Sequence, residues 1–326
     1  MRYRPLGQSG IEASVVGFGA WAIGGWMWGG SDDGATVNAI QKAIDIGMNL
    51  IDTAPAYGFG RSEEVIGRAI AGRREKVVLA TKCGLCWHVA KGNHFFDAEG
   101  HNVYKYLHPD SIAYEVEQSL RRLKTDRIDL LQTHWQETTT PVEETMAGLM
   151  KLKAQGKIRA IGVSNVTIAH LEKYCSVGPV DNVQERYSML DRKLEAEILP
   201  YCRSHGIAAL AYSPLEQGLL TGKIGPDRKF NEGDQRNTRP KFTQDNRKKI
   251  SDMLSEFQPV TKKYELTLGQ LAIAWTVAQP GLTHALVGAR TPEQVIENAG
   301  GGDAALSNDD LRIMEQIIMR HSPGIK

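Results

Sequence analysis

Four residues in the first half of this chain have side chains that can take part in proton transfer, namely Asp52, Tyr57, Lys82 and His134. Three of them each end a short apolar run, and Tyr57 follows Asp52 by five residues. A tyrosine with a pKa of about 10 is a weak acid at neutral pH, but a neighbouring lysine ammonium lowers that pKa. An aspartate beside the lysine keeps it charged, and a histidine can polarise a carbonyl oxygen. With a source of hydride, this set predicts reduction of an aldehyde or ketone.

The elements that would position these residues follow an alternating pattern. Apolar segments, each followed by a helical pattern, occupy residues 15–19, 50–52, 77–82, 128–134, 158–163, 180–184, 207–212 and 285–288. Alternation of strand and helix predicts a parallel sheet. Eight such units in 326 residues predict an α/β fold, a closed (β/α)8 TIM barrel, which needs about 250 residues. We expect one domain over residues 1–326, with the strand ends meeting at one rim.

The residues beyond the eight units lie in three segments. Residues 2–13 predict a β-hairpin before the barrel, and long loops are expected over residues 83–108 and 213–245. Both loops would lie on the C-terminal face of a barrel, where active sites are found. Loops longer than about 12–15 residues are usually functional. After the second loop, helices are expected over residues 247–264 and 268–279.

Composition excludes several classes of function. Lysine plus arginine number 39 and aspartate plus glutamate 38, so the net charge of +1 does not favour a nucleic-acid partner. No apolar run approaches the ~18 residues of a membrane span, and the start of the chain lacks the apolar core of a signal peptide. The four cysteines are too few for a disulfide scaffold. We therefore expect a cytoplasmic protein with reduced thiols and no membrane partner.

Cys83 and Cys86 form a C-x-x-C pair, which can serve redox chemistry or zinc binding. A redox pair would need a helix that starts after the first cysteine, whereas the residues that follow predict a loop. A zinc site would need a second such pair, which the sequence lacks. We expect neither a redox role nor a metal site here.

The spacing of the four proton-moving residues resembles the catalytic tetrad of the aldo-keto reductase superfamily, and the resemblance extends over residues 4–290. It is greatest to the bacterial branch of inositol-operon and general-stress reductases, and the β subunits of voltage-gated potassium channels are also similar. The resemblance implies that Tyr57 is the general acid in reduction and the base in oxidation. It also implies that Lys82 and Asp52 tune Tyr57, and that His134 orients the substrate carbonyl.

The resemblance further implies a nicotinamide cofactor, NADP(H) with NAD(H) as the alternative. Ser164, Asn165 and Gln184 would hold the nicotinamide carboxamide, because an amide offers both a donor and an acceptor. Tyr212 would stack on the nicotinamide ring. The other positions implied for the cofactor are Ala20, Trp21, Asp52, Ser213, Pro214, Leu215, Gln217, Gly218, Lys223, Gly288, Arg290, Gln294, Glu297 and Asn298.

Two features bear on the nucleotide. Arg290 before a helix N-terminus suits the 2′-phosphate of NADP, although Gln294 stands where many animal members of the superfamily carry arginine.

Gly17, Gly19 and Ala22 fit the G-x-G-x-x-A fingerprint of a Rossmann domain. That fingerprint needs a helix at once and an acid about 20 residues on, whereas the next acid that ends a strand is Asp52, so the Rossmann reading is not favoured.

Tryptophans fall in loops expected near the site. We expect Trp26, Trp28 and Trp135 to wall a substrate pocket together with Tyr57 and His134. The substrate stays open among a sugar, glyceraldehyde, methylglyoxal, pyridoxal and an aromatic aldehyde, as does the oligomeric state. An alternative function is a regulatory subunit that senses bound NADP(H) with little turnover. A metal-dependent barrel hydrolase would need a His-x-His motif on its first strand, which is absent.

Overall fold

The computed structural model describes residues 1–25 and 27–325, and strands alternate with helices along them. The strands of this part are β1 (Tyr3–Pro5), β2 (Glu12–Ser14), β3 (Val16–Gly19), β4 (Leu50–Asp52), β5 (Val78–Cys83), β6 (Leu85–Cys86), β7 (Asn93–Ala98), β8 (His101–Lys105), β9 (Ile128–Thr133), β10 (Ile158–Ser164), β11 (Asn182–Arg186), β12 (Ala208–Tyr212) and β13 (His284–Val287). The α-helices of this part are α1 (Asp33–Asp45), α2 (Arg61–Ala69), α3 (Pro109–Leu123), α4 (Val142–Ala154), α5 (Ile168–Val177), α6 (Ile198–His205), α7 (Gln244–Ser255), α8 (Gln258–Tyr264), α9 (Leu268–Ala278), α10 (Pro292–Asp303) and α11 (Asn308–His321).

Eight parallel strands close into a barrel in the order β3, β4, β5, β9, β10, β11, β12, β13 and back to β3. The predicted (β/α)8 TIM barrel is therefore confirmed. Its interior is filled by apolar side chains such as Leu50, Leu130 and Leu286. A Cβ atom at Gly17 would lie 2.8 Å from the side chains of Leu50 and Leu286, so this strand position has room only for glycine.

The predicted hairpin before the barrel is also present. Strands β1 and β2 pair antiparallel, with Tyr3 opposite Ser14. The Arg4 side chain donates to the carbonyls of Val277, Leu282 and Thr283, each at 3.1 Å, next to the start of β13. The hairpin thus packs at the N-terminal end of the barrel, opposite the rim that carries the tetrad.

The segment expected as a loop over residues 83–108 contains a small antiparallel sheet of order β6-β8-β7. Strands β7 and β8 are joined by a two-residue turn at Glu99 and Gly100, both with positive φ. Such a turn matches the twist of a hairpin. The expectation was wrong because these strands carry many polar residues and gain their order from pairing with each other and with β6.

The segment after β12 is irregular as expected, with short 3₁₀ turns over residues 216–242. The helix expected over residues 247–264 is divided into α7 and α8, a correction to the sequence-based prediction. Pro259 lies in the first turn of α8, and its missing N–H and its ring are tolerated there but not inside a longer helix. Among the described residues, no helix is both long and apolar enough to cross a membrane.

Candidate active site

The carboxyl ends of the barrel strands bring the predicted residues together. Asp52 ends β4, Lys82 lies near the end of β5 and His134 follows β9 directly. Tyr57 lies on the turn that joins β4 to α2, where its backbone N–H donates to the carbonyl of Ala54. This convergence is what parallel strands around a closed barrel produce, since their carboxyl ends share one rim.

Asp52 and Lys82 form a buried ion pair. Lys82 Nζ donates to Asp52 Oδ1 at 2.6 Å and to the Thr53 carbonyl at 2.9 Å. The lysine side chain is only 1% exposed. Burial, the largest single effect, lowers the pKa of Lys82, but the charges of Asp52 and Tyr57 and the hydrogen bonds to them together leave that pKa raised. Lys82 is therefore held in its charged form.

The Tyr57 ring lies beside this ion pair, with Lys82 Nζ 5.1 Å from the ring centroid. Burial raises the pKa of Tyr57, the charge of Lys82 lowers it and the charge of Asp52 raises it again. The charge of Lys82 therefore lowers the pKa of Tyr57 as expected, but burial outweighs this effect and the net shift is upward. Burial removes water from the phenolate and so destabilises it. Lys82, which is already paired with Asp52, stabilises the phenolate by less than this cost.

The His134 ring also contacts the Tyr57 ring. The two rings meet edge to face, with centroids 5.8 Å apart and planes at 81°. Burial and then the charge of Lys82 hold the pKa of His134 well below its ordinary value. The imidazole is therefore neutral at physiological pH and can donate or accept a hydrogen bond without carrying charge.

A pair of glutamines surrounds the second oxygen of Asp52. Gln184 Nε2 donates to Asp52 Oδ2 at 2.8 Å, and Gln132 Nε2 donates to the same atom at 3.1 Å. Gln184 Nε2 also donates to Gln132 Oε1 at 3.0 Å. Sequence reasoning placed Gln184 here but missed Gln132, whose signal is a polar residue inside the apolar run of β9.

Asn165 connects the ends of neighbouring strands. Its Nδ2 donates to the His134 carbonyl at 2.8 Å and to Ser164 Oγ at 3.1 Å, while its Oδ1 accepts from the Tyr212 hydroxyl at 2.9 Å. The backbone φ of Asn165 is 55°, a left-handed conformation that asparagine tolerates better than most residues. The Glu185 carboxylate accepts from the Val166 N–H at 2.7 Å and so holds this turn in place.

The comparisons with known proteins bear on the family. The sequence model of the Aldo/keto reductase family matches residues 15–319. This chain belongs to the aldo/keto reductase family. It is 44% identical over 323 residues to the NADH-specific methylglyoxal reductase of Escherichia coli (strain K12), a match that covers 97% of this chain and 98% of the relative.

Solved structures of this family resemble the chain throughout its length. The glycerol dehydrogenase AKR11B4 from Gluconobacter oxydans is 40% identical with a TM-score of 0.88, and the match covers 98% of this chain and 96% of the other. An aldo/keto reductase from Klebsiella pneumoniae in complex with NADP and acetate is 27% identical with a TM-score of 0.74, covering 99% and 96%. The family and the fold are therefore established.

In this aldo/keto reductase, the loop after β12 is held in an unusual backbone conformation. Ser213, Glu216 and Gln217 all have positive φ, between 46° and 58°. Glu216 is buried, and its carboxylate accepts from Arg186 at 2.6 Å, Ser188 at 2.7 Å and Lys241 at 3.2 Å. These contacts hold the loop, which also contains the predicted residues Pro214, Leu215 and Gly218. Sequence reasoning missed Glu216.

A cluster of basic and aromatic side chains lies at the contact between the loops after β3 and β12. Two guanidinium groups lie near the Trp28 ring, that of Arg236 at 5.3 Å and that of Arg290 at 5.9 Å from the ring centroid. Asp234 pairs with Arg236 at 2.6 Å, and Arg290 donates to the Trp28 carbonyl at 2.9 Å. Within the described part of the chain, the buried donors Trp28 Nε1 and Gln235 Nε2 have no acceptor.

The remaining positions predicted to bind the cofactor lie around α10 and the end of β13. Lys223 Nζ pairs with Glu297 Oε2 at 2.6 Å, and the Gln294 side chain accepts from the Arg290 N–H at 2.7 Å. The Asn298 side chain donates to the Gly288 carbonyl at 3.2 Å. The loop after β3 is linked to the tetrad, because the Ala20 N–H donates to the Asp52 carbonyl and the Trp21 ring lies 6.5 Å from the Tyr57 ring.

The tryptophans expected to wall a pocket lie in separate places. Trp28 contacts Trp21 edge to face, with ring centroids 5.2 Å apart. Trp135 packs against Phe95 of β7, with centroids 5.3 Å apart. Trp26 lies outside the described residues. The structure thus places an aromatic surface from the β6-β8-β7 sheet beside Trp135.

Cys83 and Cys86 are buried free thiols. Burial, followed by the charge of Glu115, raises the pKa of Cys83 well above its ordinary value and that of Cys86 to about 12. A thiol with so high a pKa is a poor nucleophile at neutral pH.

Proposed function

We propose that this chain is an NADP(H)-dependent oxidoreductase that interconverts a small aldehyde or ketone, including sugar-derived ones, and its alcohol. The observation that carries the proposal is the position of the Tyr57 ring, whose centroid lies 5.1 Å from Nζ of the charged Lys82 and 5.8 Å from the ring centroid of the neutral His134. Membership of the aldo/keto reductase family supports the reaction class. We also propose that the protein acts in the cytoplasm, where its four free thiols would stay reduced.

The hydrogen bonds at the rim fit a nicotinamide carboxamide. Both hydrogens of Gln184 Nε2 are donated within the protein, to Asp52 and Gln132, and no described donor contacts Gln184 Oε1. The Ser164 hydroxyl accepts from Asn165 Nδ2 and keeps its own hydrogen for donation. A carboxamide offers an N–H donor and a carbonyl acceptor, which these two groups would bind. The bound cofactor would supply or accept the hydride.

In the proposed mechanism, Tyr57 moves the proton. In reduction its hydroxyl would donate to the carbonyl oxygen, and in oxidation the phenolate would take the proton from the alcohol. Lys82 stabilises the phenolate by its charge, and Asp52 keeps Lys82 charged and oriented. The raised pKa of Tyr57 keeps the hydroxyl protonated, which suits the acid role.

His134 would orient the substrate. Because its imidazole is neutral, it can donate one hydrogen bond to a carbonyl oxygen that also receives the Tyr57 proton. The ring of Trp135, which follows His134 in the chain, lies 5.3 Å from the ring of Phe95, and the two rings would form an apolar wall. We propose a small carbonyl compound as the substrate, and the similarity to a methylglyoxal reductase and a glycerol dehydrogenase supports compounds of that size.

The preference for NADP(H) rests on charge at the rim. Arg290 lies just before α10 and has no carboxylate in salt-bridge contact among the described residues. Lys223 forms an ion pair with Glu297 of the same helix. Cations at a helix N-terminus suit a 2′-phosphate. The similarity to a methylglyoxal reductase named as NADH-specific argues instead for NAD(H). A ratio of kcat/KM for NADPH over NADH well above one supports the proposal, and a ratio at or below one overturns it.

The function itself is tested by turnover. Purified protein would be assayed with a panel of aldehydes, ketones, polyols and sugars, with both nucleotides and in both directions, by absorbance of the reduced nicotinamide. Many turnovers per protein molecule on one carbonyl compound are expected. Tight nucleotide binding with one turnover or none across the panel would contradict an enzyme and support the sensing subunit instead.

A further inference from the structure

Gln132 links the ion pair of the tetrad to the residue expected to bind the carboxamide. Its Nε2 donates to Asp52 Oδ2 at 3.1 Å, and its Oε1 accepts from Gln184 Nε2 at 3.0 Å. The side chain is fully buried. Gln132 therefore uses one end of its amide on Asp52 and the other on Gln184.

These contacts determine which way the Gln184 amide faces. One hydrogen of Gln184 Nε2 is donated to Asp52 Oδ2 at 2.8 Å and the other to Gln132 Oε1. A rotation of this amide by half a turn would place its oxygen against two acceptor oxygens, those of Asp52 and Gln132. Buried acceptors left without donors cost about 1–3 kcal/mol. The rotated form is therefore disfavoured, and Gln184 presents only its oxygen to a ligand.

The barrel provides the space for Gln132. The residue is in register with Lys82 on β5 and with Gly162 on β10. A Cβ atom at Gly162 would lie 2.9 Å from Gln132 Cγ, so a larger residue there would displace the glutamine. The glycine in β10 thus allows an extended polar side chain to cross the barrel rim toward Asp52 and Gln184.

We propose that Gln132 is a positioning residue that holds Gln184 Oε1 toward the cofactor, so that the protein selects a carboxamide with a free N–H over ligands that lack one. This inference rests on the proposed function, since it requires a nicotinamide cofactor. Gln132 acts through Gln184 and need not touch the cofactor or the reacting atoms.

Equilibrium binding of two nucleotides tests the proposal. The probes are the oxidised nucleotide that binds more tightly, NADP⁺ or NAD⁺, and its 3-acetylpyridine analogue, in which a methyl group replaces the carboxamide nitrogen. Dissociation constants would be measured by quenching of tryptophan fluorescence. The wild-type protein is expected to bind the analogue about tenfold more weakly, the effect of one lost hydrogen bond. Gln132→Met, which is close in size to glutamine, is expected to reduce this ratio to about twofold.

Matched variants separate positioning from loss of stability. Asn182 is another fully buried amide at this level of the barrel, but within the described residues its Nδ2 donates only to the carbonyls of Val183 and Ala208. Asn182→Ala is expected to lower the melting temperature and to keep the tenfold ratio. If Gln132→Met does not fold, Gln132→Asn shortens the same amide by one carbon and is expected to give the same reduced ratio.

The outcomes are distinguishable. An unchanged ratio in the Gln132 variants, when the wild-type protein prefers the carboxamide, would overturn the positioning role and leave the proposed function intact. A wild-type protein that binds the natural nucleotide and its 3-acetylpyridine analogue equally well would also overturn the positioning role. Failure of the wild-type protein to bind either nucleotide would overturn the proposed function, and this inference with it.

Discussion

Lys82 Nζ lies 2.6 Å from Asp52 Oδ1, although the two residues are offset along their paired strands. Asp52 is in register with Ala80 on β5, so Lys82 lies two residues further along and its side chain reaches back to the aspartate. Both groups are buried. Removing one partner of a buried ion pair leaves an uncompensated charge and costs about 3–5 kcal/mol.

Lys82→Met is therefore expected to lower the free energy of unfolding by about 3–5 kcal/mol, as measured by urea denaturation. The double variant Lys82→Met with Asp52→Asn removes both charges and is expected to recover most of that loss. Neither variant is expected to turn over substrate, because nothing then stabilises the Tyr57 phenolate. A double variant no more stable than the single one would show that the unpaired charge of Asp52 is not the cause.

Tyr57→Phe is expected to lower kcat by about 10²–10⁴-fold, the usual contribution of a general acid. The dissociation constant for the nucleotide is expected to stay within about twofold, because one hydroxyl remote from the carboxamide contacts is lost. The control is Tyr114→Phe, which changes an exposed tyrosine on α3. Wild-type kcat in Tyr57→Phe would rule out the assigned proton donor.

Glu115 predicts a pH dependence of stability. Its buried carboxyl accepts from the Gly84 N–H at 3.0 Å and is 3.3 Å from the Ser111 hydroxyl. Burial, followed by opposing hydrogen bonds from these two residues, raises its pKa from 4.5 to about 8, with Glu63 adding to the shift and Arg122 opposing it. The folded protein therefore holds this proton more tightly than the unfolded chain does.

The sign follows from proton binding. Between pH 4.5 and about 8 the unfolded chain has lost the Glu115 proton and the folded protein keeps it, so stability falls as the pH rises through this range. Glu115→Gln cannot ionise. The free energy of unfolding of the wild-type protein, relative to that of this variant, is expected to decrease from pH 5 to 9. A constant difference across denaturation curves at several pH values would contradict the raised pKa.

Glu185 predicts a pH dependence of nucleotide affinity. Burial, opposed by hydrogen bonds from Val166 and Asn165, raises its pKa to about 7. The titratable groups that interact with it, Cys202 on α6 and Tyr212 on β12, have raised pKa values and stay neutral near pH 7. Protonation below pH 7 weakens the acceptor that holds Asn165.

The dissociation constant for the nucleotide is therefore expected to rise about threefold to tenfold from pH 8 to 6, the effect of losing a charged acceptor. Glu185→Gln keeps one acceptor oxygen without a charge, and its affinity is expected to be weaker at pH 8 and to change less with pH. Fluorescence titrations at several pH values measure both. Equal pH profiles for the two proteins would rule out Glu185 as the titrating group.

Glu216→Gln is expected to weaken nucleotide binding by about tenfold, because Arg186 and Lys241 lose the charge that anchors the loop after β12. The matched control is Glu256→Gln, which removes an exposed ion pair with Arg320. Exposed pairs contribute little to stability because water screens their charges, so the control is expected to bind the nucleotide as the wild-type protein does. The two dissociation constants measure the effect, and equal values would contradict an anchoring role.

Local patterns in the sequence predicted the barrel and the convergence of the tetrad. Apolar runs alternating with helical periodicity require a parallel sheet, and parallel strands that close a barrel place their carboxyl ends at one rim. The polar residue at the end of each run therefore marks a position on that rim before any contact is known. Asp52, Lys82 and His134 are found there for this reason.

Contacts between distant parts of the chain decided the rest. Gln184 and Asp52 are 132 residues apart, and only the closed barrel shows that Gln184 donates a hydrogen bond to Asp52. The barrel also shows that Gln132 donates to the same oxygen of Asp52. The net pKa of Tyr57 depends on burial, which no local pattern reports. The direction of a side chain, the orientation of an amide and the water excluded around a phenol are properties of tertiary packing, because each is determined by atoms that come from other strands.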